Sequence, residues 1–288
     1  MSAKKLEIFT TFKCNNDCVF CVQKENREKY KDLRIFKDKD DIREKLDFYN
    51  KKGYRYINFL GGEPFKEENF IDVLRVAKEK GFLTALATNG FYLGDAEYAK
   101  KALPLIDELI VSVYGHNQEL ISQQSRNKLL YLEFIKALNN INKYFKGQLL
   151  KVNCVINKLN YKYLLEIARF VKENGFKEIN FTSMEIQDHN KDYAVDMTLI
   201  KPILQKVADY GNENSIVVRF SELPYCVLGD DYHLAEEMYE TERDIFNNDE
   251  LEVHGRIKVS INKCKTCSKN NICPGVDMKY IKKFGNKI

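Results

Sequence analysis

The chain places three thiols in one eight-residue stretch, Cys14-Asn15-Asn16-Asp17-Cys18-Val19-Phe20-Cys21, spaced C-x3-C-x2-C directly after an apolar run over 6–12. Clustered thiols in a reducing compartment are metal or redox ligands rather than disulfide staples. Structural zinc takes four protein ligands, usually as C-x2–4-C pairs far apart in sequence. Here three donors share one loop, and the nearest histidine in the sequence is His116. A cube of four irons and four sulfides held by three thiolates keeps one iron open, and an open position is what a catalytic metal site needs. A zinc site, or three buried thiols, is the plain alternative.

A second group lies near the other end. Cys264, Cys267 and Cys273 form C-x2-C-x5-C, and Cys226 upstream completes a set of four. Four thiolates suit either tetrahedral zinc or a fully ligated iron–sulfur cluster, and spacing does not separate the two. The remaining cysteine, Cys154, sits in an apolar run, where a buried structural thiol is expected. Gly61-Gly62-Glu63-Pro64 follows another apolar run. Glycines there allow close backbone approach to a ligand, although the same residues also suit an ordinary strand-to-helix turn.

The elements that must position these residues alternate regularly. Strands are expected over 6–12, 56–60, 83–87, 108–114, 149–156 and 178–182, with helices over 40–52, 68–80, 95–102, 128–145 and 161–174 between them. Strands separated by 10–15-residue helices pair in parallel through right-handed crossovers. Six such units make an α/β fold, a partial (β/α)6 version of the TIM barrel. Barrels place ligands at the C-terminal ends of their strands, which singles out Thr88 and Asn89 after the third strand. Ser112 and Asn153 are polar residues inside apolar strands and need partners. Beyond residue 187 the rhythm fades: a helix over 197–210, a further strand over 216–220, then a polar segment that a metal centre would stabilise. The expected organisation is a core over 1–187 and a small iron–sulfur extension over 188–288.

The triplet, with Phe20 before its last cysteine, and the Gly61–Pro64 segment in that order resemble the radical S-adenosylmethionine (radical SAM) superfamily. The tail around Cys264, Cys267 and Cys273, followed by Tyr280 and Phe284-Gly285, is similar to a shortened SPASM or twitch extension. The resemblance implies a [4Fe–4S] cluster on Cys14, Cys18 and Cys21 that binds S-adenosylmethionine and cleaves it to a 5′-deoxyadenosyl radical, which takes hydrogen from the substrate. It implies that Phe20, Gly61, Gly62, Glu63, Pro64, Thr88, Asn89, Ser112, Arg126 and Asn153 surround the cofactor. Within that set Glu63 meets the methionine ammonium, Ser112 and Arg126 its carboxylate, and Asn153 the ribose. It further implies one auxiliary [4Fe–4S] cluster on Cys226, Cys264, Cys267 and Cys273, an electron donor such as flavodoxin or ferredoxin, and a peptide or small-molecule substrate.

Other classes are disfavoured. A formal net charge of +4 over 288 residues is too slight to argue for nucleic acid, lysine is spread along the whole sequence, and no Arg-rich helix stands out. An RNA-modifying radical SAM enzyme and a non-catalytic zinc-binding protein remain the alternatives. No run approaches the ~20 apolar residues of a membrane span, and no secretory signal is evident, so a cytoplasmic protein is expected. Glu185, Asp188 and His189, after the sixth strand, read as solvated loop residues rather than proton acceptors.

Overall fold

Buried residues run through the central strands, alternating over Tyr56–Gly61 and Glu108–Ser112 and continuous in parts of Lys5–Thr11, Leu83–Thr88 and Glu178–Ser183, and the register lines them up from strand to strand. Ile8 of β1 (Lys5–Thr11) stands beside Phe59 of β2 (Tyr56–Gly61), Phe59 beside Leu86 of β3 (Leu83–Thr88), and Leu86 beside Leu109 of β4 (Glu108–Ser112). The row structure continues through β5 (Leu149–Ile156) and β6 (Glu178–Ser183), where Cys154 pairs with Phe181. All these neighbours are parallel. Such sheets are stable only when covered by helices. The cover comes from α1 (Lys24–Lys29), α2 (Lys39–Lys51), α3 (Phe70–Glu79), α4 (Ala96–Ala102), α5 (Gln118–Ser125), α6 (Leu130–Tyr144) and α7 (Leu164–Glu173). In α3, Phe70, Val73, Leu74 and Ala77 recur at i, i+3, i+4 and i+7 and are fully buried, the stripe that holds a surface helix to its sheet.

This computed structural model describes residues 5–33, 35–236, 243–246, 256–286 and 288. Six strands form the partial barrel expected from the alternation, and two more extend it. After α8 (Met197–Asn214), β7 (Val217–Ser221) pairs with β6, while β8 (Arg243–Phe246) lies parallel to β1 on the opposite edge, giving the order β7-β6-β5-β4-β3-β2-β1-β8. The sheet is open, and the chain beyond residue 187 contributes both its edges. The short α9 (Tyr225–Leu228), the antiparallel pair β9 (Lys258–Val259) and β10 (Val276–Asp277), and α10 (Met278–Phe284) complete the described chain. The buried Tyr280 pins α10 to the start of α8, its hydroxyl donating to Asp196 and accepting from the Met197 amide.

One polar contact holds the sheet to its helices. Asp107, just before β4, accepts from Lys78 of α3 at 2.7 and 2.8 Å and from the amide of Thr84 at 2.8 Å. Against the upward pull of burial, these bonds hold its carboxyl below the ordinary 3.8. A folded-state value below the unfolded one means that the stabilisation is present above 3.8 and is lost as pH falls through the depressed value. Asp107→Asn is expected to cost about 1–3 kcal/mol at neutral pH and to flatten the acid limb in urea unfolding of the metal-free chain. An acid limb identical to the parent's would refute the assignment.

Candidate functional site

The C-terminal ends of β1 to β7 supply the lining of one cavity of about 510 Å³. Beyond β1 come Cys14, Cys18, Phe20 and Cys21; at β2, Gly61, Gly62 and Glu63; at β3, Thr88 and Asn89; at β4, Ser112 and Tyr114; at β6, Thr182, Ser183 and Glu185; and after β7, Glu222. This is the face at which parallel barrels carry their chemistry. The structure brings all three N-terminal cysteines and most residues singled out from the sequence to it.

The cysteine loop is held from outside by its backbone. Asp17 and Val19 donate to the carbonyls of Ser125 and Gln124 at the end of α5, both at 2.9 Å. Asn127 adds bonds to the Asn15 carbonyl and the Asn16 side chain. Gln124 is itself buried, donating to the Tyr114 carbonyl and accepting from Asn157 and Asn160. The thiols are thus left facing the cavity. Burial, then Glu63, pushes the Cys14 thiol up to about 11, and burial with Cys21 and Cys14 raises Cys18 further. A metal ligand must be a thiolate, so loading this site releases protons.

Gly61 and Gly62 serve a closer approach than that to a ligand. Gly61, at φ 141°, and Gly62 run against Thr11–Lys13, the segment that leads into Cys14. The Gly62 amide donates to Thr11 at 2.7 Å and the Glu63 amide to Lys13 at 2.9 Å. Glu63 is 1% exposed, and its carboxylate accepts from the Thr88 hydroxyl at 2.7 Å, the Asn89 amide at 2.8 Å and the Phe65 amide at 3.3 Å. Burial nonetheless pushes its pKa up to about 7. A cationic group arriving beside it would favour ionisation. Asn89 closes the unit by donating to Asn15 and, at 3.8 Å, to the Cys14 sulfur.

Three expected residues stand elsewhere. Pro64 is buried at the start of a 3-10 turn behind Glu63 and shapes that turn. Asn153 shares a register row with Ser112 and Asn180, and its side-chain oxygen is taken by Asn180 at 2.9 Å and Thr182 at 2.7 Å. Arg126 is a correction. It caps α5 in the left-handed conformation, φ 53°, and its guanidinium pairs with Asp17 at 2.8 Å on the outer side of the loop, away from the cavity.

Several cavity residues carry no sequence motif. Tyr114 hydrogen-bonds the Cys18 thiol and stacks on Phe20 at 5.6 Å. Arg27 of α1 donates to the Asn16 carbonyl at 2.7 Å and to the Cys21 sulfur at 3.8 Å. Across the cavity, Arg256 donates to the Ser183 carbonyl at 2.5 Å and lies 3.5 Å from Glu222 and 4.0 Å from Glu185. Glu185 is therefore a cavity residue, 13% exposed at its side chain, rather than a solvated loop residue. His189 likewise turns inward, its Nε2 2.9 Å from the Cys21 carbonyl, whereas Asp188 is solvated as expected. Glu222 is at φ 64°, the kind of local strain that clusters at functional sites.

Of the C-terminal cysteines, Cys226 lies near Cys273 and Cys264, which together with burial push its thiol up. The Tyr225 amide also donates to the Cys273 sulfur at 3.4 Å. Cys267 is exposed one turn beyond Cys264. Cys154 is buried in the core and accepts from Asn160 at 3.6 Å.

The donor set around the N-terminal triplet fits an anionic, sulfur-rich cluster. Asn16 Nδ2 and Arg27 Nε are buried donors without an acceptor beside the three thiols, while the Asn16 amide and the Arg27 guanidinium already point at sulfur. Among the described residues no group of three or more His, Cys, Asp or Glu is gathered tightly enough for a single metal ion.

Comparison with known proteins agrees. The family profile of the Radical SAM superfamily matches residues 8–171. A GTP 3′,8-cyclase of Aquifex aeolicus is 30% identical over 179 residues, 60% of this chain and 54% of that protein. A tungsten-containing aldehyde ferredoxin oxidoreductase cofactor-modifying protein of Pyrococcus furiosus is 28% identical over 246 residues, 78% of this chain and 64% of that one. The chain thus spans less than two thirds of either relative. Among solved structures, Streptococcus suis SuiB bound to the precursor peptide SuiA superposes with a TM-score of 0.60 at 19% identity, covering 76% of this chain and 48% of that one. Native anSMEcpe with bound S-adenosylmethionine and the Kp18Cys peptide gives 0.61 at 18%, covering 75% and 63%.

Proposed function

Because this chain belongs to the radical SAM superfamily, we propose that it reductively cleaves S-adenosylmethionine and uses the resulting radical to take hydrogen from a peptide or small molecule admitted to the cavity. The observation that carries this reading is the shared cavity: three thiols and a buried carboxylate lie on one side, and a charged wall of Glu185, Glu222 and Arg256 on the other. The bound cluster and S-adenosylmethionine supply one-electron cleavage to methionine and a 5′-deoxyadenosyl radical.

In this reading Cys14, Cys18 and Cys21 hold the cluster. Arg27 and the Asn16 amide donate to its thiolates, and such hydrogen bonds are among the factors that set a cluster's potential. Glu63, fixed by Thr88 and Asn89, receives the methionine ammonium. Gly61, Gly62 and Ser112 line its surroundings, and Phe20 with Tyr114 forms an apolar wall that limits water at the reacting atoms. Asn153 stiffens the cavity floor through Asn180 and Thr182. Cys226, Cys264, Cys267 and Cys273 hold a second cluster, available as an electron acceptor or as support for the substrate side. Solved relatives of the same fold were captured with peptides, which favours a peptide among the substrate classes.

Anaerobic reconstitution tests this directly. About eight irons per chain, four per cube, with 5′-deoxyadenosine released on reduction, is the expected result. About four irons with 5′-deoxyadenosine would retain the first site and remove the second cluster. Tightly held zinc with no 5′-deoxyadenosine would overturn the proposal.

A further inference from the structure

The last stretch of the chain is unusually basic. Residues 256–288 carry nine Lys and Arg against one Asp, while the rest of the chain holds 37 basic against 41 acidic residues. Part of that charge is spent locally, since Arg256 and Lys258 pair with Glu222. Of the seven others, Lys279, Lys282 and Lys283 lie together on α10. Tyr280 faces inward and fixes the helix to α8, which leaves Lys279, Lys282 and Lys283 exposed on its outer side.

These three lysines, with Lys191, line a second cavity of about 550 Å³. Its acidic lining is weak: Asp188 is 3.7 Å from Lys191 with its side chain 99% exposed, and Glu25 is 65% exposed. Lys283 reaches Asp192 only at 3.9 Å, and among the described residues Lys279 and Lys282 meet no carboxylate. The cavity also lies against the cysteine loop. Glu25 stands four residues after Cys21, and His189, from the segment that forms the cavity's other wall, bonds the Cys21 carbonyl at 2.9 Å.

We propose that this lysine groove is the docking surface for an acidic one-electron carrier protein, and that it delivers its electron to the cluster from the Cys21 side. The inference rests on the cluster assignment above. The exchange needs no bond: the carrier is oxidised by one electron and the cluster is reduced by one. Redox encounters are small and weakly bound, so they depend on steering by charge complementarity, and electron transfer falls steeply with distance. A basic groove walled by Glu25 and by the segment of His189, whose ring lies 2.9 Å from the Cys21 carbonyl, meets both demands.

The test compares two reductants on the reconstituted enzyme: reduced flavodoxin, an acidic protein, and dithionite, a small ion that needs no docking site. Lys279→Glu/Lys282→Glu/Lys283→Glu is expected to slow flavodoxin-driven cluster reduction roughly tenfold or more at low salt, with dithionite-driven reduction within twofold of the parent. In the unaltered enzyme the flavodoxin rate should fall as ionic strength rises past ~0.1 M, a measurement that does not depend on the variant folding. An unchanged flavodoxin rate with no salt dependence would overturn the proposal. So would equal losses with both reductants, which would place the lysines in substrate or cofactor handling. A parent enzyme that dithionite cannot reduce would instead strike the cluster assignment itself.

Discussion

Cys18→Ala should give a folded chain that releases no 5′-deoxyadenosine. The loop around Cys18 is held by its backbone: Asp17 and Val19 donate to α5, and the Cys21 amide donates to the Cys18 carbonyl at 3.1 Å. None of those bonds uses the sulfur, so removing it leaves the loop in place, and thermal stability of the metal-free chain should shift little. What disappears is one of the three proposed ligands and the partner of the Tyr114 hydroxyl. Loss of outer partners of a metal site already costs 10–100-fold. Loss of a ligand should therefore cut cofactor cleavage by more than about a hundredfold and halve the iron content. Cys264→Ala is the contrasting case: it too should lose about half the iron, yet keep cleavage, because its thiol stands with Cys226 near the tail rather than in the first cavity. Cys18→Ala enzyme that still cleaves S-adenosylmethionine would remove the triplet from the mechanism.

The parts of this site that were legible in the sequence are those whose spacing is local. Three thiols within eight residues, a Gly-Gly-Glu turn after a strand, and six strand–helix repeats each declare themselves within a short window. The partners that complete the site do not. Arg27, Tyr114, Glu222 and Arg256 reach the cavity from four separate places in the chain, and only the parallel stacking of strand ends unites them. Arg126 shows the reverse error. Placed just before the long helix, it is expected by resemblance to pair with the carboxylate of S-adenosylmethionine, but at the end of α5 its left-handed backbone accompanies a side chain paired with Asp17. The helix α5 itself escaped the periodic reading because its buried face includes Gln124 and Ser125, polar residues whose task is to hold the cysteine loop.

Lysine behaved in the same way. Taken as one net charge for the chain it argues for no partner, although residues 256–288 alone carry nine basic residues against one acidic. Folded, α10 presents one anchored face and one charged face, and the charged one lines a groove with Glu25, four residues after Cys21. A net charge of +4 therefore hides a basic tail and an acidic remainder, which a single value for the whole chain cannot reveal.

Gly62→Ala should disable the site through a single added methyl group. A Cβ built at Gly62 falls 2.3 Å from the Lys13 carbonyl oxygen and 2.8 Å from that of Phe12, where real Cβ atoms stay beyond 3.0 Å. The obstacle is backbone, so no side-chain rotation relieves it. Either β2 or the segment entering Cys14 must move, and movement breaks the bonds from Gly62 to Thr11 and from Glu63 to Lys13. Overpacking and two lost backbone bonds together are expected to cost about 2–4 kcal/mol. The functional loss should exceed what that destabilisation explains, because the same shift carries Cys14 away from Cys18 and Glu63 away from Thr88 and Asn89. Gly53→Ala supplies the comparison. Gly53 has φ +89° with nothing within 4 Å of a Cβ, so alanine there costs about 1–2 kcal/mol of backbone strain and touches no ligand. At a temperature where both variants are folded, Gly53→Ala should bind iron and release 5′-deoxyadenosine like the parent, and Gly62→Ala should do neither. Parent-level iron and cleavage in Gly62→Ala would mean that the close approach of β2 to the cysteine loop is not what positions the cluster.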